Sequence, residues 1–586
     1  MKTQQDLLLS TAGYGRFQMR ITALVVVMGF LLGLGMMMSS VFMIFTPDHR
    51  CNLSGFDDDE DLLKRNNSNQ QNPQFAENNE LQSSKNCSGN ATLLYFPVEV
   101  GVDGYCQTNK CYMYNWSSIT SDLNATTSSP NEIPCDNGWK YFVRNGLLTA
   151  SMEFNLVCDR LWIAPLVQSS LMIGCIAGSF FGGYISDRYG RRFAILFGWT
   201  IVCSSSLMFA VAPVWIFLHI LTFGIGFGGT IRANVAMVLM SEITPTKHRY
   251  MATTLNVLSF GLGNACLPVV AYLLPNWRHM ALFIGTLQLA ILFPSFLILE
   301  NSLSWFLENK LFDKAKKLTE KAAKINKRSS DEKEVKALQE ENEDDYETKT
   351  ERTESSKLYF LDLFRIVFLR KRVVILALAW SAANTLYFGL SINTRNLGGN
   401  VYLTYFALAI VETPGTFLAF FLMRKFGGRL IFMILTAGCG LCVVATPFLQ
   451  TVSHLAMIAA NVLGKLLVSG SMTVLYSFTG DVFPTLLRSQ AFGLCSSVSR
   501  GWNVLVPYLL FLGEIVHPSI PYLVMGTLGI AAAFAVYLLP ETKLKPLPDT
   551  LEDARQQERL RSSLSCFRPR GKEPNSNPAS AESISL

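Results

Sequence analysis

The stretch SEITPTKHR, Ser241 to Arg249, puts an acid, a proline and two bases between two runs that are almost pure hydrocarbon. A near-copy, GDVFPTLLR, Gly480 to Arg488, follows 239 residues later. The shared frame is acid-x-x-Pro-Thr-x-x-Arg: Glu242, Pro245, Thr246 and Arg249, then Asp481, Pro484, Thr485 and Arg488. A second pair keeps nearly the same period. SDRYGRR, Ser186 to Arg192, is answered by MRKFGGR, Met423 to Arg429, with Asp187 and Arg424 237 residues apart. A chain that writes its punctuation twice at equivalent places is read as two homologous halves.

What lies between the punctuation decides the class. Half of the residues are apolar and 16% are charged, against about 25% charged in an average soluble domain. The charges crowd into Asp48–Glu153, Glu300–Arg372 and Lys543–Glu582. Outside them lie twelve runs, six before the central charged segment and six after. Each has roughly the 20 residues that a helix needs to cross about 30 Å of hydrocarbon. The eighth run, Val401–Met423, and the eleventh, Phe492–Phe511, read as continuous helices like the rest. The expectation is an all-α membrane protein of twelve transmembrane helices in two pseudo-repeated six-helix bundles. Residues 1–20 are a cytoplasmic N-terminus, 21–299 the first bundle, 300–372 a cytoplasmic linker, 373–540 the second bundle and 541–586 a cytoplasmic tail. The first run is too long for a cleavable signal segment and counts as a span. Arginines and lysines mark alternate short loops, at Arg16 and Arg20, Arg188 to Arg192, Lys247 and Arg249, Arg424 to Arg429, and Arg488. By the positive-inside rule these loops and both termini face the cytoplasm.

Residues 47–159 then form one large extracellular loop. Six Asn-x-Ser/Thr sequons begin there, at Asn52, Asn66, Asn86, Asn90, Asn115 and Asn124. Such a cluster points to a glycosylated surface. Six cysteines, Cys51, Cys87, Cys106, Cys111, Cys135 and Cys158, share the loop; an even number in an oxidising compartment suggests up to three disulfides, whose pairing the spacing does not select. Within the linker, FLENKLFDKAKKLTEKAAKINK has a helical pattern with mixed charge, and the following polar stretch has too few apolar residues to bury a core.

Two six-helix repeats with a substrate site near the midplane are a common transporter plan. GGYISDRYGRR, Gly182 to Arg192, resembles the signature loop of the major facilitator superfamily. More specific are Tyr387 to Pro414, Leu463 to Arg488, GRFQ at Gly15–Gln18, EFNLVCDR at Glu153–Arg160 and LPETKLKPLPDTLEDA at Leu539–Ala554. Together these resemble solute carrier family 22, the organic cation, carnitine-type and organic anion transporters. The sequence departs from that pattern in places. His219 is the only ionisable residue early in the fourth run, with Arg232 deeper; ENSLSW, Glu300 to Trp305, replaces the usual Pro-Glu-Ser-Pro-Arg-Trp; Arg424 stands for an aspartate and Asp481 for a glutamate.

An ionisable side chain in mid-span costs about 2.5–3.5 kcal/mol on insertion scales and is a functional hypothesis by default. The substrate-site candidates are Glu412, Arg500, Lys465, Tyr476, Tyr387 and Arg232, with Trp380 and Phe388 as further aromatic wall. Glu412 suits an ammonium group or a proton, and its plain alternative is an ion pair with Lys465. Arg500 suits a carboxylate or sulfonate, whose two oxygens fit the guanidinium fork; its alternative is an interhelical salt bridge. In the resembling family, an acid at the Glu412 position accompanies cation or zwitterion handling, and arginine at the Arg500 position accompanies anion or carnitine-type handling. Lys465 and Tyr476 lie eleven apart and share a helix face. Arg232 falls on the small-residue stripe Gly224, Gly228, Ala236. At the cytoplasmic ends, Asp187, Arg188, Arg191, Glu242 and Arg249 read as a gate latch, with Arg424, Arg429, Asp481 and Arg488 as its counterpart.

The expected function is secondary transport of a small organic ion by alternating access at the plasma membrane, of a carnitine- or betaine-like zwitterion first and an organic anion second. An organic cation carrier and a non-transporting scaffold are the remaining alternatives. The expected partners are the substrate, the bilayer and a coupling ion or exchange substrate, without nucleic acid. No phosphate-binding G-x-x-x-x-G-K-[S/T] loop and no paired metal-ligand motif is present, so neither an ATP-driven pump nor an enzyme is expected, and no cofactor or metal.

Overall fold

The repeated punctuation folds twice into the same backbone. The fourth span ends at Ile243, and Thr244 turns extended at φ −107°, ψ 134°. The tenth ends at Val482, and Phe483 turns extended at φ −104°, ψ 146°. In each case a proline follows, and its ring bars the preceding residue from helical geometry. The next helices begin at once, at Thr246 and Thr485. The other pair behaves alike. Gly190 (φ 97°, ψ 158°) separates the second and third spans, and Gly427 (φ 98°, ψ 157°) the eighth and ninth. A Cβ is poorly tolerated at such angles, so glycine alone allows a one-residue corner there.

In this computed structural model the described residues are 15–52, 98–100, 106–108, 110–114, 132–143, 146–244, 246–309, 311–327, 362–397, 400–483 and 485–541. The spans are Arg16–Met36, Ile163–Tyr189, Arg191–Phe209, Trp215–Ile243, Thr246–Leu273 and Trp277–Ile298 in the first half. In the second they are Val367–Ile392, Val401–Ile410 with Glu412–Phe426, Gly428–Val452, His454–Val482, Thr485–Asn503 with Val506–Ile515, and Ser519–Val536. This is the twelve-helix major facilitator fold. The packing confirms the repeat. Span one packs on five, two on four, three on four and three on six; seven packs on eleven, eight on ten, nine on ten and nine on twelve. Adding six to each number in the first set gives the second. The main contacts between halves, five with eight and two with eleven, exchange under the same operation.

Two spans differ from the sequence expectation. The eighth breaks at Val411 and the eleventh between Asn503 and Val506. Pro414 and Pro507 each lie in the first turn after the break, where a missing N–H removes the least bonding. Among the described residues eleven helices are long and apolar enough to cross a bilayer; the eleventh span is absent from that set, its first piece Thr485–Asn503 being rich in polar residues and its second, Val506–Ile515, short.

The halves meet at the end that carries the large loop. Phe42 of the first half packs on Tyr402 and Tyr405 of the eighth span, both at 5.6 Å between ring centroids, and Tyr272 packs edge-on against Tyr402 at 5.7 Å. At the opposite, signature end of the same contacting spans, a Cβ added to Gly183 or Gly493 would meet nothing within 4 Å. The halves thus touch through these rings at the loop end, and space is open beside Gly183 and Gly493 at the signature end.

The described parts of the loop form three short antiparallel ladders, His49–Cys51 with Trp139–Tyr141, Val98–Val100 with Cys106–Thr108, and Tyr112–Tyr114 with Glu132–Pro134. Disulfides join Cys51 to Cys135 and Cys111 to Cys158. Cys87 and the side chain of Cys106 lie outside the described residues, as do the sequons at Asn66, Asn86, Asn90, Asn115 and Asn124; Asn52 is described, and its N–H donates to the Gly138 carbonyl at 3.0 Å. Glu153 ties the loop to the bundle. Arg278 Nη2 donates to it at 2.7 Å, and this bond holds the Glu153 carboxyl below the usual carboxylate range. The same guanidinium donates to the carbonyls of Ala210 and Ala212.

Substituting Gly190→Ala or Gly427→Ala forces a side chain into the glycine corner, and at Gly190 the new Cβ would lie 2.6 Å from Asn301 Oδ1. Each variant is expected to lose about 1–3 kcal/mol, read as a lowered midpoint of thermal unfolding in detergent. Gly183→Ala, facing open space, is expected to leave the midpoint unchanged.

Candidate functional site

Two charged centres lie on the inner surfaces of the second half. The first is built where the eighth span breaks. Glu412 opens the second piece of that span and is only 7% exposed. Lys465 of the tenth span, 1% exposed, brings its Nζ to 3.0 Å from Glu412 Oε1. Its remaining protons go to Ser391 Oγ at 2.7 Å and the Tyr387 carbonyl at 3.1 Å. An ammonium has three donors, and here each has an acceptor. The Nζ also sits 3.4 Å from the centroid of the Tyr387 ring, where the ring's negative face adds attraction. Glu412 is equally engaged. Tyr387 donates its hydroxyl to Oε2 at 3.0 Å, and Asn264 donates to Oε1 at 3.4 Å. Tyr405 in turn donates to Asn264 Oδ1 at 2.5 Å. Because Asn264 belongs to the fifth span, this network crosses from one half to the other. The plain alternative for Glu412 is therefore realised: the buried carboxylate is neutralised and fully bonded by protein.

Arg500 forms the second centre. It lies near the end of the first piece of the eleventh span and is half-buried. Its Nη1 donates to Ser179 Oγ of the second span, so it too touches both halves. Among the described residues no carboxylate forms an ion pair with it. Near it, Tyr476 belongs to a cluster of three rings. Trp380 lies 4.7 Å from Tyr476 and 5.2 Å from Phe492 between centroids, and Tyr476 lies 5.4 Å from Phe492. Trp380 is buried, its indole N–H donating to Thr479 Oγ1 at 2.9 Å. Tyr476 is 47% exposed on the inner surface. Its hydroxyl is within electrostatic reach of Arg500 and of Tyr387.

The structure does not bring Arg232 to either. Its Nη2 donates to the Val25 carbonyl of the first span and, at 3.4 Å, to Asn256 Oδ1 of the fifth, and the residue is 1% exposed. The cause lies in the stripe itself. Gly198 and Gly228 bring the third and fourth spans so close that added Cβ atoms would meet backbone; the arginine is left facing the first and fifth spans. His219 also packs, edge-on to Trp215 at 5.6 Å and 3.3 Å from Ser170 Oγ.

The signature-end charges form one compact set within the first half. Arg191 pairs with Asp187 at 3.0 Å and Glu242 at 3.2 Å, tying the loop after the second span to the fourth. Arg188 donates to the Tyr184 hydroxyl at 2.8 Å. The altered ENSLSW segment docks beneath them: Trp305 Nε1 donates to the Asp187 carbonyl at 2.8 Å, Asn301 Oδ1 accepts from Arg192 N at 2.8 Å, and Ser302 caps the helix Leu303–Glu308. In the second half Arg424 lies over Phe420, and Arg429 donates to the Leu539 carbonyl and pairs with Glu541 at 3.5 Å. Asp481 is half-buried. The side chains of Arg249 and Arg488 lie outside the described residues. Sequence reasoning missed Asn264, Ser391, Tyr405 and Ser179. The signal available was an uncharged polar side chain inside an apolar run, too common to single out.

Comparison places this architecture among known proteins. The family model described as "Sugar (and other) transporter" matches residues 112–553. The chain belongs to this family of major facilitator membrane transporters. Within it the relatives are of solute carrier family 22. "Solute carrier family 22 member 3" of Rattus norvegicus is 30% identical, over 78% of this chain and 82% of that one. "Organic cation transporter protein" of Drosophila melanogaster is 30% identical over 77% and 82%. "Solute carrier family 22 member 13" of Homo sapiens is 29% identical over 94% and 92%. Among solved structures, the partially occluded inward-open xylose transporter XylE of E. coli aligns with a TM-score of 0.55 at 14% identity, covering 89% of this chain and 99% of that one. At that identity the likeness concerns the fold.

Removing one partner of the buried pair strands the other. Glu412→Gln or Lys465→Met alone is expected to destabilise by about 3–5 kcal/mol, while the double variant recovers most of that loss. A double-mutant cycle of thermal midpoints checks this; additive losses would show that the pair is not coupled.

Proposed function

We propose that this multi-pass membrane protein is a plasma-membrane carrier, with both termini cytoplasmic, for small organic ions that bear an acidic group. Arg500 is the residue that receives the group. The observation that carries this reading is the charge balance of the inner surface. Glu412 and Lys465 cancel, each saturated by protein, whereas Arg500 is met by a serine hydroxyl and, among the described residues, by no carboxylate. A guanidinium facing a cavity favours a carboxylate or sulfonate, which it can bind bidentately in a setting of reduced dielectric.

The geometry favours an organic anion as the substrate class. Binding would replace Ser179 on Arg500 and so loosen one tie between the halves. Alternating access then follows from rocking of the two bundles about the site, with Asn264 on Glu412 as the second tie. The Arg191 cluster keeps the first bundle's signature end rigid during the motion.

A second reading rests on the Tyr476 ring, exposed beside Arg500. A zwitterion of the carnitine or betaine type would place its carboxylate on Arg500 and its quaternary nitrogen over that ring face. In this reading the positive end does not need Glu412.

Uptake into cells expressing the chain tests both, with an aromatic carboxylate, L-carnitine and a simple quaternary cation as probes. The aromatic carboxylate is expected to enter, and Arg500→Ala to reduce its entry at least tenfold with surface expression unchanged, a loss of about 1.4 kcal/mol or more. Carnitine uptake lost in the same variant supports the zwitterion. Cation uptake indifferent to Arg500→Ala overturns the proposal.

A further inference from the structure

The linker helix Phe312–Asn326 lies across the signature end of the first half. Its buried face, Ala315, Leu318, Ala322 and Ala323, joins the core beneath the first, third and fourth spans. Its C-terminal half is pinned at two points. Asn326 Oδ1 accepts from Phe17 N at 2.9 Å and its Nδ2 donates to Gln18 Oε1 at 3.1 Å, at the start of the first span. Lys321 meets Glu300 at 2.5 Å, and Glu300 also faces Arg192 at 3.8 Å.

The other face is strongly one-signed. Lys314, Lys316, Lys317, Lys321, Lys324 and Lys327 are exposed there, against the acids Asp313 and Glu320. Packing already holds this helix, so an excess of lysine is not needed to fold it, and like charges this close repel one another.

The helix also sits at a definite depth. Just before Glu300, at the end of the sixth span, Phe293, Phe296 and Leu297 are largely exposed, as befits side chains that face hydrocarbon. Arg192 donates to the Phe296 carbonyl at 2.6 Å. The hydrocarbon edge therefore falls between Leu297 and Glu300, and Lys321 and Arg192 stand where phosphate groups begin. Phe193, beside Arg192, is exposed in the same way.

The geometry points to a binding surface for acidic phospholipid headgroups of the cytoplasmic leaflet, formed by the lysine face of the linker helix and Arg192. The inference rests on the positive-inside orientation, which puts this end at the leaflet that carries anionic lipid. It is independent of the substrate. Lysine stems reach along the protein while their ammonium groups meet phosphate oxygens, and the pinned helix makes the array rigid. Bound lipid would cross-brace the first, third and sixth spans through Asn326 and Glu300, leaving the second half free to move against them.

The test uses the purified full chain and a variant that keeps both pins, Lys314→Gln, Lys316→Gln, Lys317→Gln and Lys324→Gln together. Native mass spectrometry measures binding of dioleoyl phosphatidylserine and dioleoyl phosphatidylcholine. The intact chain is expected to prefer phosphatidylserine, and the variant to bind it about tenfold more weakly or worse, with the thermal midpoint in detergent alone unchanged. Arg370→Gln with Lys371→Gln removes exposed charge at the start of the seventh span and is expected to change binding little. No preference for the acidic lipid overturns the inference. So does a variant that binds as the intact chain does, or an equal loss in the Arg370 and Lys371 control, which would show diffuse charge rather than a surface. Capture of a soluble acidic peptide without phosphatidylserine preference would assign the face to a protein and overturn the lipid.

Discussion

One buried ion pair sets the terms for the rest of the inner surface. Lys465 and Glu412 lie where water is scarce, and an isolated charge there would be costly. Their pairing is complete because Ser391, Tyr387 and Asn264 satisfy the atoms that the pair leaves over. The break in the eighth span places Glu412 at the start of a helical piece, within reach of the tenth and the fifth. The same pairing leaves Arg500 with no carboxylate partner among the described residues.

Contacts between the halves use the breaks in the spans. Where the eleventh span is interrupted, the Val504 carbonyl is released and accepts from Ser169 Oγ of the second span at 2.7 Å. Where the eighth is interrupted, Glu412 accepts from the fifth. Non-helical backbone at membrane depth is tolerated where protein or a cavity satisfies it, and here the opposite half does so. Such bonds are few, and they lie between bundles whose internal packing is extensive. Two rigid bodies joined by a small number of polar ties suit a rocking motion.

Loss of a familiar motif has not undone its anchoring role. ENSLSW lacks the proline and arginine of the pattern it resembles, yet Glu300, Asn301 and Trp305 each find a partner at Asp187 or Arg192, and Ser302 caps the short helix that carries Trp305. On the second half, Arg424 stands where an acid was expected and rests on the ring of Phe420. The signature end is thus stitched within each bundle.

The sequence by itself determined the class, the twelve spans, the repeat and the family, because these rest on features local to the chain: apolar length, punctuating prolines and glycines, and charge in the loops. Hydropathy read the eighth and eleventh spans as continuous, since a helix break changes backbone bonding without changing composition. It named Glu412, Lys465, Arg500, Tyr387 and Tyr476, since a charge or a hydroxyl-bearing ring inside an apolar run is conspicuous. Only the tertiary structure decided how they combine. It spent Glu412 on Lys465, turned Arg232 away toward Val25 and Asn256, and gave Arg500 a serine of the other half. The reason is that a side chain's partner depends on how neighbouring helices are rotated and how closely they approach. Those are set by glycine contacts such as Gly198 with Gly228, between residues far apart in the chain.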